Sequence, residues 1–595
     1  MSGIEHTDLD PVTFEVLRNG FEQAADRMST VLQRTSFSPI IYDMVDFSNA
    51  VFDPEGELVG QTANCPVHLA AMHFSVEAVV DAFDPTEMDE RDVFVLNDPY
   101  EGGTHINDIT FVEPVFDAVG ERLGYAVSRG HWTDLGGGAP GGTAWGTHLA
   151  EEGLRVPPTR LAEGGDLREE IVELLEHNTR TPQYVSGDIQ AHLAALTAAR
   201  EELHRIAEKY DPDTVRQGMG DVLDYTEART RAAIRRFPDG EYTATDYADC
   251  DGITDDPVEV VVTLVVDDDE MTVDFAGTDP ATRGAINSPK ANTHSAVYYG
   301  LKFFTDPAAP ANGGMYRPVT IDIPDGSWLD PDWPRPTYGC TIVSAPKVCA
   351  AIWQALAEAI PDRAVAPTYA DCNSFDFQVE DPETGVVDVA ADLPPGGWGG
   401  TPFGDGMEAT YDPHGNCMDL PVERAERLFP LTVGRHELLA DSGGPGEHRG
   451  GLGMVREFTF HGYTELSVET NRTREGTPGV NGGERGSRAV VEKRDADGEV
   501  RTLAGYDADG EWHRSIRSGV AFHPGETFAI ETAGGGGWGS PLERDPAAVA
   551  ADAGNGKVTT DGARRDYGVI IDPETNEVDE PATAELRGRR RANGE

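Results

Sequence analysis

Apolar residues recur at helical spacing near the start of the chain. They predict a helix from Pro11 to Arg34, because residues three or four positions apart share one face of an α-helix. Pro11 suits the first turn, where a missing N–H leaves no hydrogen bond unmade. The apolar face is formed by Leu17, Phe21, Ala24, Met28 and Val31.

Helical periodicity returns over residues 186–210 and 212–236 and predicts two adjacent helices that end a first lobe. Beyond about residue 240, strand-like runs such as 258–266 and turns rich in glycine and proline dominate. The pattern predicts a multi-lobed mixed α/β (α+β) protein. Its expected parts are a helix-rich N-terminal lobe over 1–240, a β-rich C-terminal region over 241–545, and a peripheral, acidic and arginine-ended tail over 546–595.

Two short glycine-flanked segments each place a histidine three residues before an aspartate. The first contains His105 and Asp108, and the second contains His131 and Asp134. Two strand-like runs separate the segments, so a β-hairpin would bring both to one end. Imidazole and carboxylate groups together hold a divalent transition metal and leave positions open for water or substrate. The spacing therefore predicts a site for zinc, manganese or iron, although polar residues satisfied within glycine turns would explain either segment alone.

Charge is the strongest feature of the composition. The 105 acidic residues outnumber 47 basic ones, the formal net charge is −58, and only six residues are lysine. Molar salt shortens the Debye length to about 3 Å and makes such a shell tolerable, so the composition predicts a halophilic protein. It argues against nucleic acid as a partner, because phosphate binding needs a basic face.

Cysteine spacing and hydropathy bear on location. Six cysteines are scattered without a Cys-x-x-Cys pair, which favours reduced thiols and a cytoplasmic protein. We find neither an apolar run of about 18 residues nor a basic start followed by an apolar core. The sequence therefore predicts neither membrane spanning nor export.

Further motifs occur in one order along the chain, and with them the sequence resembles the hydantoinase B/oxoprolinase family over about residues 10–545. This family comprises the B-type subunits, or C-terminal halves, of ATP-dependent 5-oxoprolinases, N-methylhydantoinases and acetone carboxylases. The motifs that carry the resemblance, besides the two histidine segments, are Asp46-Phe47-Ser48, Pro66-Val67-His68-Leu69, Asn97-Asp98-Pro99-Tyr100, Glu152-Gly153, Asn178-x-Arg180, Asp274-Phe275-x-Gly277, Asp441-Ser442-Gly443-Gly444, Arg449-Gly450-Gly451-Leu452-Gly453 and Gly534-Gly535-Gly536-Gly537-Trp538-Gly539.

The resemblance implies a division of labour between two kinds of subunit. An A-type partner with an actin-like ATPase fold would bind ATP and Mg²⁺ and phosphorylate the carbonyl oxygen of the substrate, and this chain would complete the hydrolysis. The chain itself lacks the Gly-x-x-x-x-Gly-Lys-Ser/Thr phosphate loop. The implied function is the B-type subunit of an ATP-dependent cyclic-amide hydrolase acting on 5-oxoproline or hydantoins, in a hetero-oligomer. Trp132 stands where oxoprolinase-like members often have histidine, which weakens oxoproline as the substrate.

Three other interpretations stay open. The chain could be a subunit of an acetone-carboxylase-type enzyme, which bicarbonate dependence would reveal. It could be a non-catalytic scaffold for the A-type subunit, or a metallohydrolase that acts alone without ATP.

Three residues are candidates for general base, proton shuttle or supporting carboxylate: Asp46, His68 and Asp98. Each also has a structural interpretation, as a strand-end residue, a helix-start residue and a turn former before Pro99. A Cys65–His68 nucleophile would be an independent possibility, but a cysteine at such a junction is usually a small buried apolar residue. The glycine motifs are interpreted as turns or close-packing positions rather than nucleotide sites.

Overall fold

The computed structural model describes residues 9–62 and 64–593. Its helices are α1 (Pro11–Thr35), α2 (Pro39–Tyr42), α3 (Pro66–Leu69), α4 (Ala71–Ala82), α5 (Glu169–Glu176), α6 (Pro182–Tyr210), α7 (Pro212–Ile234), α8 (Lys290–Lys302), α9 (Ser344–Ala359), α10 (Val422–Leu428), α11 (Pro546–Gly554), α12 (Thr560–Tyr567) and α13 (Glu580–Asn593). The helices predicted near residues 11–34, 186–210 and 212–236 are α1, α6 and α7.

The strands form four sheets. In chain order they are β1 (Phe47–Phe52), β2 (Leu58–Gln61), β3 (Val93–Leu96), β4 (Asp108–Phe116), β5 (Arg122–His131), β6 (Thr159–Glu163), β7 (Asp166–Leu167), β8 (Gly240–Ala248), β9 (Val258–Asp267), β10 (Glu270–Asp274), β11 (Val319–Asp322), β12 (Ser374–Glu380), β13 (Val387–Asp392), β14 (Leu431–Leu438), β15 (Met454–Phe460), β16 (Thr464–Glu469), β17 (Val490–Arg494), β18 (Val500–Tyr506), β19 (Trp512–His513), β20 (Ile516–Phe522) and β21 (Thr527–Glu531).

The first sheet has seven strands in the order β2-β1-β5-β4-β3-β6-β7 and is covered on both faces. Successive side chains of a strand point to opposite faces. Accordingly, Val51 of β1 joins a core with residues of α1 and α6. Its neighbours Ala50 and Phe52 join a second core with residues of α4. This sandwiched sheet holds the β4–β5 hairpin rigidly in place.

The other sheets have the orders β11-β10-β9-β8, β13-β12-β16-β20 and β14-β15-β21-β17-β18-β19. Helix α9 packs on β8 and β9. The stretch Tyr338–Ala359, which includes α9, is long and apolar enough to cross a membrane by length and composition, but 89% of its most apolar window is buried inside the protein. It is therefore a core helix.

The mixed α+β class predicted from the sequence is confirmed. The contrast between a helix-rich first part and a β-rich second part is less sharp than predicted, because the first 240 residues also contain the seven-stranded sheet.

The glycine motifs pack backbone against backbone. A side chain on Gly535 would bring its Cβ to 2.0 Å from the Trp398 carbonyl oxygen, and one on Gly451 to 1.8 Å from the Met407 carbonyl oxygen. The amide of Gly535 donates to the Gly451 carbonyl at 3.0 Å, and that of Gly444 donates to the Gly535 carbonyl at 2.8 Å. We call this contact of segments 397–400, 443–453 and 534–537 the glycine layer. It explains the motifs as close-packing positions.

The last described residues, 546–593, form α11 to α13 around a small apolar cluster that includes Val549 and Tyr567. Arg544 joins this part to the remainder of the protein, through ion pairs of 2.6 Å to Asp405 and 2.7 Å to Asp552.

Candidate metal centre

The predicted β-hairpin is present, and its open end forms a histidine–carboxylate cluster. Strand β4 begins at Asp108 and β5 ends at His131, and these two residues are direct register partners. The Asp108 Oδ1 atom lies 3.5 Å from His131 Nδ1 and 3.2 Å from His105 Nε2. One donor atom from each of the three side chains lies within 4.8 Å of the others. The hairpin thus brings three of the four predicted ligands close together.

Two polar atoms of this cluster are buried without a hydrogen-bond partner, Asp108 Oδ1 and His105 Nδ1. The imidazoles approach Asp108 Oδ1 without the alignment of a hydrogen bond. Buried polar atoms are nearly always paired, so this oxygen lacks a partner that a cation would supply. Two imidazoles and a carboxylate form a donor set that suits a transition metal. The residues therefore fit a divalent metal.

The electrostatic surroundings of the cluster favour an ionised Asp108. Burial opposes ionisation of Asp108, but the nearby imidazoles of His105 and His68 outweigh it and hold the pKa of this carboxyl well below its usual range. The other oxygen, Oδ2, accepts a 2.6 Å hydrogen bond from the Thr104 hydroxyl, which fixes the orientation of the carboxylate. Asp108 is therefore an anion pointed at the centre of the cluster.

Two of the three catalytic candidates adjoin the cluster. His68, at the end of the short helix α3, places Nε2 at 3.5 Å from Asp108 Oδ2 and 3.8 Å from Asp46 Oδ1. Asp46 precedes β1, and its carbonyl accepts the amide hydrogen of His131 at 3.1 Å. Burial lowers the pKa of His68, although Asp108 and Asp46 oppose the shift. A neutral His68 is suited to accept a proton.

Asp134, the fourth predicted ligand, is not a member of the cluster. Its carboxylate is 2.8 Å from Arg180 Nη1 and accepts the Arg180 amide at 2.6 Å, the Gly136 amide at 3.1 Å and the Gly141 amide at 3.3 Å. These contacts tie the loop after β5 to residues 179–180. The structure therefore places Asp134 as a loop organiser, with Arg180 of the Asn178-x-Arg180 motif as its partner.

Asp98, the third catalytic candidate, also lies apart from the cluster. Its Oδ1 accepts the Tyr100 amide at 3.0 Å, and its Oδ2 lies 3.2 Å from Arg155 Nε. These contacts agree with the turn-forming interpretation.

A small cavity of about 50 Å³ adjoins the cluster, and later parts of the chain complete its wall. Beside His68, His105 and His131, it is lined by Tyr338 and Asp376. The Tyr338 hydroxyl donates to Asp376 Oδ2 at 2.6 Å. Sequence reasoning missed both residues, because they lie more than 200 positions from the histidine motifs and carry no local motif. Gly142 packs closely against Tyr338, because a Cβ at this position would lie 1.7 Å from the Tyr338 ring.

Cys65 also lines this cavity, with its Sγ 3.3 Å from Asp46 Oδ1 and 3.3 Å from Cys417 Sγ. The Cys417 contact opposes the shift, but burial beside the Asp46 carboxylate raises the pKa of the Cys65 thiol. A protonated thiol is a poor nucleophile, so the structure gives no support to the Cys65–His68 hypothesis.

Comparison with known proteins shows the family to which this chain belongs. The chain belongs to the hydantoinase B/oxoprolinase family, whose model matches residues 10–541. A relative that is similar over the whole length is the beta chain of the caprolactamase of Pseudomonas jessenii, 32% identical over 97% of this chain and 98% of its own length. A solved structure of ATP-dependent caprolactamase from that organism matches with a TM-score of 0.88 at 30% identity, over 98% of this chain and 100% of the matched one.

Two further proteins are similar to this chain over most of its length. The B-type component of a putative D-/L-hydantoinase from Pseudomonas sp. strain NS671 is 31% identical over 98% of this chain and 99% of its own length. A nucleotide-free structure of acetone carboxylase matches with a TM-score of 0.90 at 18% identity, over 100% of this chain and 84% of the other. At that identity the likeness shows a shared fold alone.

Proposed function

We propose that this chain is the B-type subunit of an ATP-dependent hydrolase of cyclic amides. One observation carries the proposal: a buried His105–Asp108–His131 cluster with an unpaired carboxylate oxygen lies in a chain that is similar end to end to a component of caprolactamase. Substrates of the lactam, hydantoin or 5-oxoproline class are the candidates.

His105, Asp108 and His131 would hold the divalent metal, which is zinc, manganese or iron. Asp46 is a better candidate for a further donor than Asp134, because its backbone meets His131 and its carboxylate is not committed to an arginine. When bound, such a metal lowers the pKa of water and stabilises negative charge that develops on a carbonyl-derived oxygen.

The other residues of the site supply proton transfer and orientation. His68 is positioned to accept a proton from the attacking water, and Asp46, 3.8 Å from its Nε2, would stabilise the imidazolium that forms. Asp46, His68 and His105 are buried, and burial strengthens such charge interactions relative to those in water.

An A-type subunit would provide the activation step. The similar caprolactamase and hydantoinase chains are each named as one component of a multi-subunit enzyme, which supports a hetero-oligomer in which ATP and Mg²⁺ bind to the partner. An amide carbonyl is a poor electrophile, and phosphorylation of its oxygen creates a better leaving group. The division of labour therefore has a chemical rationale.

The test is ATP hydrolysis by the chain co-expressed with an A-type subunit, in molar salt, with caprolactam, hydantoin or 5-oxoproline added separately. Phosphate release and ring-opened product that both require one substrate would support the proposal. A further set of reactions with acetone and bicarbonate tests the carboxylase alternative. If His105→Ala and Asp108→Asn together leave turnover undiminished, the chain is a scaffold and the proposal fails.

A further inference from the structure

Asp376 brings an acid into the cavity from a part of the chain remote from the histidine motifs. It lies in the middle of β12, between β13 and β16, and is 6% exposed. It lines the same cavity as His105 and His131. Among the residues that the structure describes, no arginine or lysine forms an ion pair with it. Asp376 thus faces the site without an arginine or lysine partner.

Burial favours the protonated form of Asp376, whereas its polar neighbours act on it in both directions. Tyr338 donates to Oδ2 at 2.6 Å, and the Tyr338 ring lies 5.9 Å from that of His105. The pKa of Asp376 is also affected by the carboxyl of Asp134 and the imidazole of His131. Asp376 in turn acts on the buried carboxyl of Glu469, and both oxygens of Glu469 lack a hydrogen-bond partner. Burial raises the pKa of Asp376 to about 6 although Tyr338 and His131 oppose the shift. Asp376 therefore keeps its proton to a higher pH than an ordinary aspartate does.

We propose that Asp376 is the catalytic acid that protonates the ring nitrogen as the carbon–nitrogen bond breaks, and that it thereby couples ATP use to ring opening. The inference rests on the proposed function and deepens it, because it names the step on which coupling depends. Tyr338 would be a positioning residue that holds the carboxyl toward the cavity.

The chemistry of the activated amide shows why such an acid is needed. The A-type subunit transfers the γ-phosphoryl group of ATP to the carbonyl oxygen, and water then adds to the carbon. The resulting tetrahedral carbon bears a hydroxyl, a phosphorylated oxygen and the ring nitrogen. If the carbon–nitrogen bond breaks, its electron pair goes to nitrogen, which takes the proton of Asp376. The hydroxyl proton passes to water, and the hydroxyl oxygen becomes the carbonyl oxygen. The products are an amine and an acyl phosphate, which a second water converts to carboxylate and inorganic phosphate.

The competing collapse breaks the bond between carbon and the phosphorylated oxygen. Phosphate leaves with that electron pair, the hydroxyl loses its proton, and the cyclic amide forms again. One ATP is then hydrolysed without ring opening. An unprotonated ring nitrogen is a poorer leaving group than phosphate. The proton donor therefore decides between ring opening and the wasteful loss of phosphate.

The experiment measures inorganic phosphate and ring-opened amine in the same reaction, for the chain paired with its A-type subunit. In Asp376→Asn we expect ring opening to fall by about 100-fold, a typical contribution of general acid catalysis, while substrate-dependent phosphate release stays within about threefold. Asp376→Glu should recover part of the coupling, and Tyr338→Phe should lower the ratio of amine to phosphate less than Asp376→Asn does.

Asp388→Asn is the matched control. Asp388 is on the adjacent strand β13 and also accepts a tyrosine hydroxyl, that of Tyr184 at 3.2 Å, but it does not line the cavity. Its ratio of amine to phosphate should equal that of the wild type.

Two results would overturn the inference. One is a proportional loss of amine and phosphate in a folded Asp376→Asn protein with its metal retained, which indicates a structural role. The other is an unchanged ratio. Failure of the proposed function is distinguishable, because the wild-type pair would then open none of the rings supplied.

Discussion

Asp108 and His131 are register partners at the open end of one β-hairpin, with Asp108 Oδ1 3.5 Å from His131 Nδ1. A β-hairpin is a local structure whose register follows from the alternation of its strands. The relative position of these two donors is therefore set by backbone hydrogen bonds and does not depend on a bound ion.

Asp108→Asn should remove the metal while leaving the fold intact. The substitution keeps the size of the side chain but abolishes the anionic oxygen that faces both imidazoles. We expect the affinity for zinc or manganese to fall by more than about 100-fold, since the loss of an outer-shell partner alone costs about 10–100-fold. Metal content per chain after dialysis measures this. Asp98→Asn is the control, and metal loss in that variant as well would contradict the assignment.

Asp134→Asn and Arg180→Met should lower stability without removing the metal. Asp134 is fully buried, whereas the Arg180 side chain is 32% exposed, so we expect a loss of about 1–3 kcal/mol in the free energy of unfolding, below the value for a fully buried pair. Urea unfolding in molar salt measures the loss. If Asp134→Asn folds normally but no longer retains metal, Asp134 is a ligand after all.

Glu152→Gln should change how stability depends on pH. Burial raises the pKa of Glu152 to about 8, although the amides of Tyr338 and Thr337 oppose the shift. In the unfolded chain this carboxyl ionises near pH 4. Between these values the folded state holds the proton more tightly, so the contribution of Glu152 to stability is full below about pH 4 and is lost as pH rises toward 8.

The unfolding free energy of the wild type minus that of Glu152→Gln should therefore fall from about pH 4 to pH 8 and stay constant above. Urea titrations at fixed salt concentration across this range test it. Glu151→Gln, at the half-buried neighbouring position, controls for net charge. A difference that rises with pH would show that the folded carboxyl is the stronger acid.

Gly535→Ala should disrupt the glycine layer. Its Cβ would meet the Trp398 carbonyl oxygen at 2.0 Å, and backbone on both sides cannot move aside cheaply. We expect a loss of about 3 kcal/mol or more, at the upper end for overpacking. Gly220→Ala in α7 is the control, because nothing lies within 4 Å of the added carbon and alanine favours a helix by about 1 kcal/mol. Thermal unfolding should move in opposite directions for the two variants.

The hairpin and the convergence of His105, Asp108 and His131 at its open end could be predicted from the sequence, because both depend on residues close together in the chain. His105 and Asp108 are three residues apart, and two strand-like apolar runs predicted β4 and β5. Asp134 has the same local pattern as Asp108, but the pattern does not reveal that Arg180 competes for its carboxylate. That outcome depends on the path of the chain between residues 141 and 179.

Asp376 and Tyr338 could not be predicted in the same way. Their contact with the histidine cluster depends on how residues 338 and 376 are folded against the first sheet, and no spacing rule reaches across more than 200 residues. The glycine motifs were interpreted correctly as close packing, but their partners, such as Trp398 and Met407, are evident only in three dimensions.

The cavity wall comes from two parts of the chain, with His68, His105 and His131 before residue 140 and Tyr338 and Asp376 after residue 330. Substitutions after residue 330 can change which substrate fits the cavity, while the residues before 140 keep their donor atoms in place. Under the proposed function, a lineage would acquire a new ring as substrate by drift in β12 and its neighbours, without passing through an ancestor that had lost the donor atoms of the hairpin.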